Sequence, residues 1–225
     1  MRRFSCALLV WALAWSPARA DDAKDVRKVI ESAVTAVLDV LKDAKLGREE
    51  KKAEVMGIVD PVIDFRLMAK LVLGREHWGS FTKPQQEQFT DLFVKQLRDS
   101  YFDKVDLLTD EKADFDAPEP TKDGKFQMMS HILSKGQRYK MLYKVYKRES
   151  AWKVYDIEIE GISLVRSYGA QYDEFLRGAT PEALLKRMRE KPMEGPKDLQ
   201  RKEKEIKGRT AVDKSPETVE SVKSE

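Results

Sequence analysis

The chain has 225 residues, with 42 Lys and Arg against 39 Asp and Glu, two histidines and one cysteine. A lone cysteine excludes a disulfide framework and leaves no local Cys/His set from which a zinc site could be built. The formal surplus of +3 is carried by Arg2, Arg3 and Arg19, and without them the chain is neutral, which argues against a nucleic-acid binder.

Those arginines frame the first element. Arg2 and Arg3 form a basic opening, Cys6 to Trp15 a short apolar run, and Ala18-Arg19-Ala20 a small-residue exit. This is the pattern of a secretory signal peptide over residues 1–20, cut after Ala20; the run is too short for the ~20 residues that span a bilayer. Cys6 opens the run instead of following it, so it is not placed as a lipidation cysteine. An exported chain without disulfides must rely on an ordinary hydrophobic core.

From Asp21 to about Leu46, Val26, Val29, Ile30, Ala33, Val34, Val37, Leu38 and Leu41 recur at helical spacing, and Gly47 marks an end. A second helix covers about 49–59 and stops at Asp60-Pro61, because proline disfavours the helical state of the residue before it. Ile63-Asp64-Phe65 opens a short helix through Met68, Ala69 and Val72 that ends at Leu73-Gly74, which leaves His77 and Trp78 in a loop. Thr82 and Gln85 have capping-box spacing, with Pro84 in the first turn, and Phe89, Leu92, Phe93, Leu97, Tyr101 and Val105 keep one face of a long helix apolar.

After Leu108 the period changes from helical to alternating. Asp114–Asp116 and Phe126–Leu133 read as strands, separated by Pro118, Pro120 and Asp123-Gly124. In Tyr139–Tyr146 the odd positions are apolar, as in a half-buried strand. The returning strand places Trp152 and Val154 on one parity but Ile157 and Ile159 on the other. That requires either a bulge near Tyr155-Asp156 or a strand apolar on both faces. Leu164, Val165, Tyr168, Tyr172, Phe175 and Leu176 are helical again, Gly178 ends that helix, and Thr180-Pro181 starts another. The expected architecture is α+β: helices, an antiparallel sheet of about four strands and closing helices, one domain over 21–190. Residues 191–225 are too charged to bury a core and form a disordered or weakly helical tail.

Catalytic patterns are thin. Ser163 follows a strand-like run, but Gly161-Ile162-Ser163-Leu164-Val165 lacks the second glycine of a nucleophile elbow. A serine immediately before an apolar helix is placed to cap it. His77 and His131 have no partner acid at a recognisable spacing, and Asp64 and Asp156 fit caps or buried hydrogen bonds. The positive signal is apolar: Met128, Met129, Met141, Tyr143, Val145, Val154, Ile157 and Ile159 on the sheet, with Phe93, Leu97 and Tyr101 on the long helix. Periodicity does not say whether these fill a core or line a cavity.

Several linked segments resemble the MlaC family, also called toluene-tolerance auxiliary components. Ile63-Asp64-Phe65, Met68-Ala69, Leu73-Gly74 and then Trp78 look like its D-F…M-A…L-G block, and Gln88, Phe89, Phe93, Leu97 and Tyr101 are similar to its Q…F…F…L…Y helix. Trp152-Lys153-Val154-Tyr155-Asp156 followed by Glu160-Gly161-Ile162-Ser163-Leu164 resembles W-x-V-x-D…E-G-V-S-L. One departure stands out. Where members often carry N-Y-R-x-Q-F, this chain has Ser167-Tyr168-Gly169-Ala170-Gln171-Tyr172, without the arginine.

The resemblance, over about residues 25–190, implies a curved sheet wrapped by helices, similar to the nuclear-transport-factor-like fold. It implies a periplasmic phospholipid shuttle of an ABC-type transport system that supports outer-membrane lipid asymmetry. Its expected ligand is phospholipid, with no cofactor and no metal. Its expected partners are an inner-membrane MCE-domain ABC transporter complex and an outer-membrane lipoprotein complex, and the protein itself is a monomer. The residues expected to line the cavity are Phe65, Met68, Val72, Phe93, Leu97, Tyr101, Met128, Met141, Tyr143, Val145, Val154, Ile157, Ile162, Val165 and Tyr168. The competing readings are a lipid-ester hydrolase using Ser163 and a binder of another lipid such as a hopanoid.

Overall fold

A computed structural model describes residues 17–105, 112–134, 137–191, 195, 197 and 200–202. Four helices come first: α1 (Pro17–Lys42), α2 (Arg48–Val59), α3 (Phe65–Ser80) and α4 (Lys83–Val105). Then follow β1 (Lys112–Phe115), β2 (Glu119–Pro120), β3 (Phe126–Ser134), β4 (Gln137–Arg148), β5 (Ala151–Ile159) and β6 (Ile162–Ser163), closed by α5 (Leu164–Leu176) and α6 (Pro181–Glu190). The predicted cut after Ala20 falls within the first turns of α1.

The sheet is antiparallel throughout, in the order β1-β3-β4-β5-β6, with β2 also paired to β3. It has six strands instead of about four, because β2 and β6 are two-residue strands too short to show a period. The parity conflict on β5 resolves as a bulge. Lys144 pairs with Asp156 while Val145 pairs with Val154, so Tyr155 is the extra residue and Trp152, Val154, Ile157 and Ile159 share one face. Beyond Ile159 a two-residue turn of Glu160 (φ 53°) and Gly161 (φ 79°) brings Ile162 back opposite Ile159. Positive φ at both positions is the backbone of a tight hairpin turn, and it is where glycine is needed.

Two apolar clusters hold the domain. In one, Val26 and Ile30 of α1 pack on the inner sheet face formed by Phe126, Met128, Tyr143, Val145, Trp152 and Val154. The other is helical and joins Met68 and Val72 of α3, Phe89 and Phe93 of α4, Tyr168 and Tyr172 of α5, and Leu184 of α6. Across the α4–α5 contact its aromatic rings meet edge to face, Phe89 on Tyr172 at 5.2 Å and Phe93 on Tyr168 at 5.6 Å between centroids. Ile63 touches both clusters, and its bridge to Val154 ties the start of α3 to the free edge of β5.

The region after Leu73 corrects the predicted ending. Gly74 does leave the helical conformation (φ 68°, ψ 173°), but the chain resumes helical turns through Ser80, so His77 and Trp78 lie on a helix and not in a loop. There His77 Nε2 meets Asp173 Oδ1 of α5 at 2.9 Å. The capping box is as read: Thr82 N donates to Gln85 Oε1 at 2.8 Å, and Gln85 N to Thr82 Oγ1 at 3.4 Å.

Gly169, where the family arginine is missing, sits at the crossing of α5 over α3. A Cβ there would stand 3.0 Å from the Val72 carbonyl oxygen. That neighbour is backbone and yields little, so the helices approach this closely only over glycine. Gly169→Val is expected to destabilise the domain by about 2 kcal/mol or more, because overpacking and lost χ1 freedom add. Urea unfolding measures it.

Candidate lipid-binding face

The strand register defines the inner face of the sheet residue by residue. Phe126 opposes Val145, Met128 opposes Tyr143, Ser130 opposes Met141 and Ile132 opposes Tyr139. Met141 opposes Ile159, Tyr143 opposes Ile157, and Ile159 opposes Ile162. Directly paired residues point to the same side of a sheet. The face therefore has two halves. The half under α1, ending in Trp152 and Val154, is fully buried. In the other, Ile132, Tyr139, Met141, Ile157, Ile159 and Ile162 are adjacent to one another and only half-buried.

A hydroxyl pair marks the boundary between the halves. Ser130 Oγ and Tyr143 Oη lie 3.2 Å apart, both buried, and burial pushes the Tyr143 hydroxyl up to about 12. Each hydroxyl satisfies the other, so neither interrupts the apolar floor at the cost of an unpaired polar group. On α4, buried Gln96 accepts from Tyr172 Oη at 3.0 Å, while its Nε2 has no partner among the described residues.

The predicted residues divide between the two clusters. Phe65, Met68, Val72, Phe93, Leu97, Val165 and Tyr168 belong to the helical one, with Met68, Phe93 and Tyr168 sealed in its interior and Phe65 and Val165 partly covered. Met128, Met141, Tyr143, Val145, Val154 and Ile157 belong to the sheet cluster. Ile162 is half-buried and extends the open half through its pairing with Ile159. The side chain of Tyr101 lies outside the described residues. Ile132, Tyr139 and Ile159 were absent from the predicted set. The bulge parity and the two-residue hairpin were the signals that could have added Ile159.

An open groove of about 630 Å³ runs elsewhere, between α1, Pro61-Val62 and the β4–β5 hairpin, lined by Asp25, Lys28, Ser32, Trp152 and Lys153 among others. None of the predicted residues lines it. With charged side chains on its walls it is not the deep apolar space that acyl chains require.

Two buried carboxylates fix the frame around the sheet edge. Asp156 Oδ2 accepts from Ser163 Oγ at 2.8 Å and from Lys144 Nζ at 3.1 Å, and its Oδ1 accepts from Val165 N at 3.2 Å. Ser163 Oγ in turn accepts from Arg166 N at 3.1 Å, so it caps α5 as its position predicts. Ser163 is 1% exposed, with its hydrogen bonds committed to Asp156 and Arg166.

Asp64 caps α3 through Leu67 N at 2.9 Å and accepts from Tyr146 Oη and, at 3.1 Å, Arg148 Nη1. Burial alone would raise its carboxyl, but the bonds from Tyr146, Leu67 and Arg148 outweigh burial and hold it below the usual range. Burial first and Asp64 second push Tyr146 up to about 12. Because the folded carboxyl titrates below its unfolded value of ~3.9, its contribution is complete above that pH and is lost as pH falls through the folded value. Stability should therefore drop in acid below about pH 4, and less in Asp64→Asn than in the wild type. Urea midpoints taken across that range check it.

The fold is thus an antiparallel sheet with α1 packed on one face, and the candidate site is the half of that apolar face which stays half-buried. A family model described as MlaC protein matches residues 31–190, and the chain belongs to the MlaC family. The structure is similar to the phospholipid-binding protein from Ralstonia solanacearum, solved in complex with a phospholipid, with a TM-score of 0.66 at 26% identity over 74% of this chain and 96% of that one. No curated protein matches the sequence. No helix among the described residues is long and apolar enough to cross a membrane, and no described group of His, Cys, Asp and Glu could hold a metal ion.

Proposed function

We propose that this protein is a periplasmic phospholipid carrier that shuttles lipid between the outer and inner membranes without catalysing a covalent reaction. The observation that carries this reading is the contiguous half-buried floor of Ile132, Tyr139, Met141, Ile157, Ile159 and Ile162, in a chain of the MlaC family. Acyl chains lie on that floor, between the sheet and the helical cluster, with the headgroup at the rim. Two acyl chains hold roughly 30 CH₂ groups at ~0.8 kcal/mol each, so exposing them to water costs on the order of 20 kcal/mol. A carrier must match the bilayer in burial. Transfer between two such environments is then close to neutral, and direction comes from the partners, an MCE-domain ABC transporter complex at the inner membrane and a lipoprotein complex at the outer.

Solvent extraction of the purified protein, followed by mass spectrometry, tests the reading. Phospholipid in near-stoichiometric amount is the expected result. No phospholipid, together with no uptake from liposomes, overturns it, and a hopanoid in the extract would redirect it to another lipid. Hydrolysis by Ser163 is disfavoured by its burial and by its bonds to Asp156 and Arg166, which commit the hydroxyl to joining α5 to the sheet and leave it closed to a substrate.

A further inference from the structure

The outward face of α3 has no role in either cluster. Met68, Ala69, Val72 and Leu73 fix the inward side of this helix. The opposite side therefore carries two rows one turn apart, Arg66 with Lys70 and Leu67 with Leu71, and Arg75 is exposed just beyond Gly74. Leu71 is 41% exposed, and Leu133 is the other large apolar side chain so open among the described residues. Many surface cations of this domain are paired, Lys95 with Asp99, Arg98 with Asp60, Arg166 with Glu158 and Arg177 with Asp173. Among the described residues, Arg66, Lys70 and Arg75 have no such carboxylate, and Glu76 is the single acid within α3.

Two leucines flanked by Arg66 and Lys70 on two turns of helix, with Arg75 following the break at Gly74, make an amphipathic face without a pocket or a hydrogen-bonded frame. A protein partner of ordinary size covers about 800 Å² per side and fixes its charges in place, which five side chains do not provide. A bilayer asks for less: its anionic headgroups move to meet the cations, and short apolar side chains enter between them. We propose that this face of α3 docks the protein on the surface of an anionic bilayer. The chain is neutral once Arg2, Arg3 and Arg19 are set aside, so attraction to such a surface must come from a local concentration of charge such as this one. The face is distinct from the apolar floor of the sheet, so the docking proposal stands or falls separately from lipid carriage.

The test is sedimentation of the purified protein with vesicles of phosphatidylcholine alone and with vesicles containing about a third phosphatidylglycerol. Each cation near an anionic surface adds roughly five-fold to partitioning, so Arg66→Gln/Lys70→Gln/Arg75→Gln should lose on the order of a hundred-fold on the anionic vesicles. High salt should do the same to the wild type, and Leu71→Ser should weaken binding at either salt. The exposed positions should leave the melting temperature and the co-purified lipid unchanged, which separates this outcome from a failure of carriage or of folding. The lysines of residues 191–225 remain in the variant and serve as the internal control. Equal sedimentation of wild type and triple variant overturns the proposal. So does a wild type that ignores anionic vesicles, which would leave the face to a protein partner.

Discussion

Met141→Glu is expected to empty the protein of lipid, lowering the phospholipid recovered per mole by at least ~10-fold, because each carboxylate placed against acyl chains must be desolvated or neutralised. Met141 sits in the middle of the open half of the floor, opposite Ser130 on one side and Ile159 on the other. It is half-buried and outside the sealed clusters' interior, so the fold should tolerate the change far better than the ligand does. Ile162→Glu at the rim should act in the same direction with a smaller loss. Extraction and lipid phosphate analysis, with circular dichroism as the folding control, read both. A full lipid load in Met141→Glu would remove the floor from the binding site.

The second large effect is on stability. Asp156→Ala removes the acceptor of three donors at once: the Ser163 hydroxyl, the Val165 N–H and the Lys144 ammonium. Asp156 is 4% exposed, so those donors lose a partner that water replaces poorly. Lys144 keeps Glu158 at 2.6 Å, which limits the damage on that side. Breaking a buried, hydrogen-bonded charge pair costs about 3–5 kcal/mol, a large share of the 5–15 kcal/mol by which domains are ordinarily stable. Chemical denaturation should show that loss, and a change under about 1 kcal/mol would mean that α5 is held to the sheet by packing alone.

The sequence made the linear plan of this protein readable and its cross-strand geometry much less so. Thr82 with Gln85, Ser163 before Leu164 and Thr180 before Pro181 announce helix starts because capping is a local matter, settled within three residues. Gly74 is instructive in the other direction: its break in helical geometry was legible, but the resumption of the helix to Ser80 depends on tertiary contacts such as His77 with Asp173. The apolar floor was half legible. Met141, Ile157 and Ile162 could be named from alternation and motif, but Ile132 and Tyr139 are neighbours only through a register that no short window contains. The division of the predicted residues into two clusters was not legible at all, since periodicity marks a buried face without saying what lies against it.

The bulge at Tyr155 has a consequence for polarity. A strand has a phase of two, and one inserted residue reverses it. Before the bulge, even numbers face inward at Trp152 and Val154; after it, odd numbers do, at Ile157 and Ile159, while Asp156 and Glu158 turn outward to Lys144. Were Tyr155 taken into the regular ladder instead of the bulge, the greasy and the wet sides of the strand's second half would change places. The carboxylates would then point at the floor and the isoleucines at water. One residue set outside the ladder thus decides which side of the sheet can hold oil.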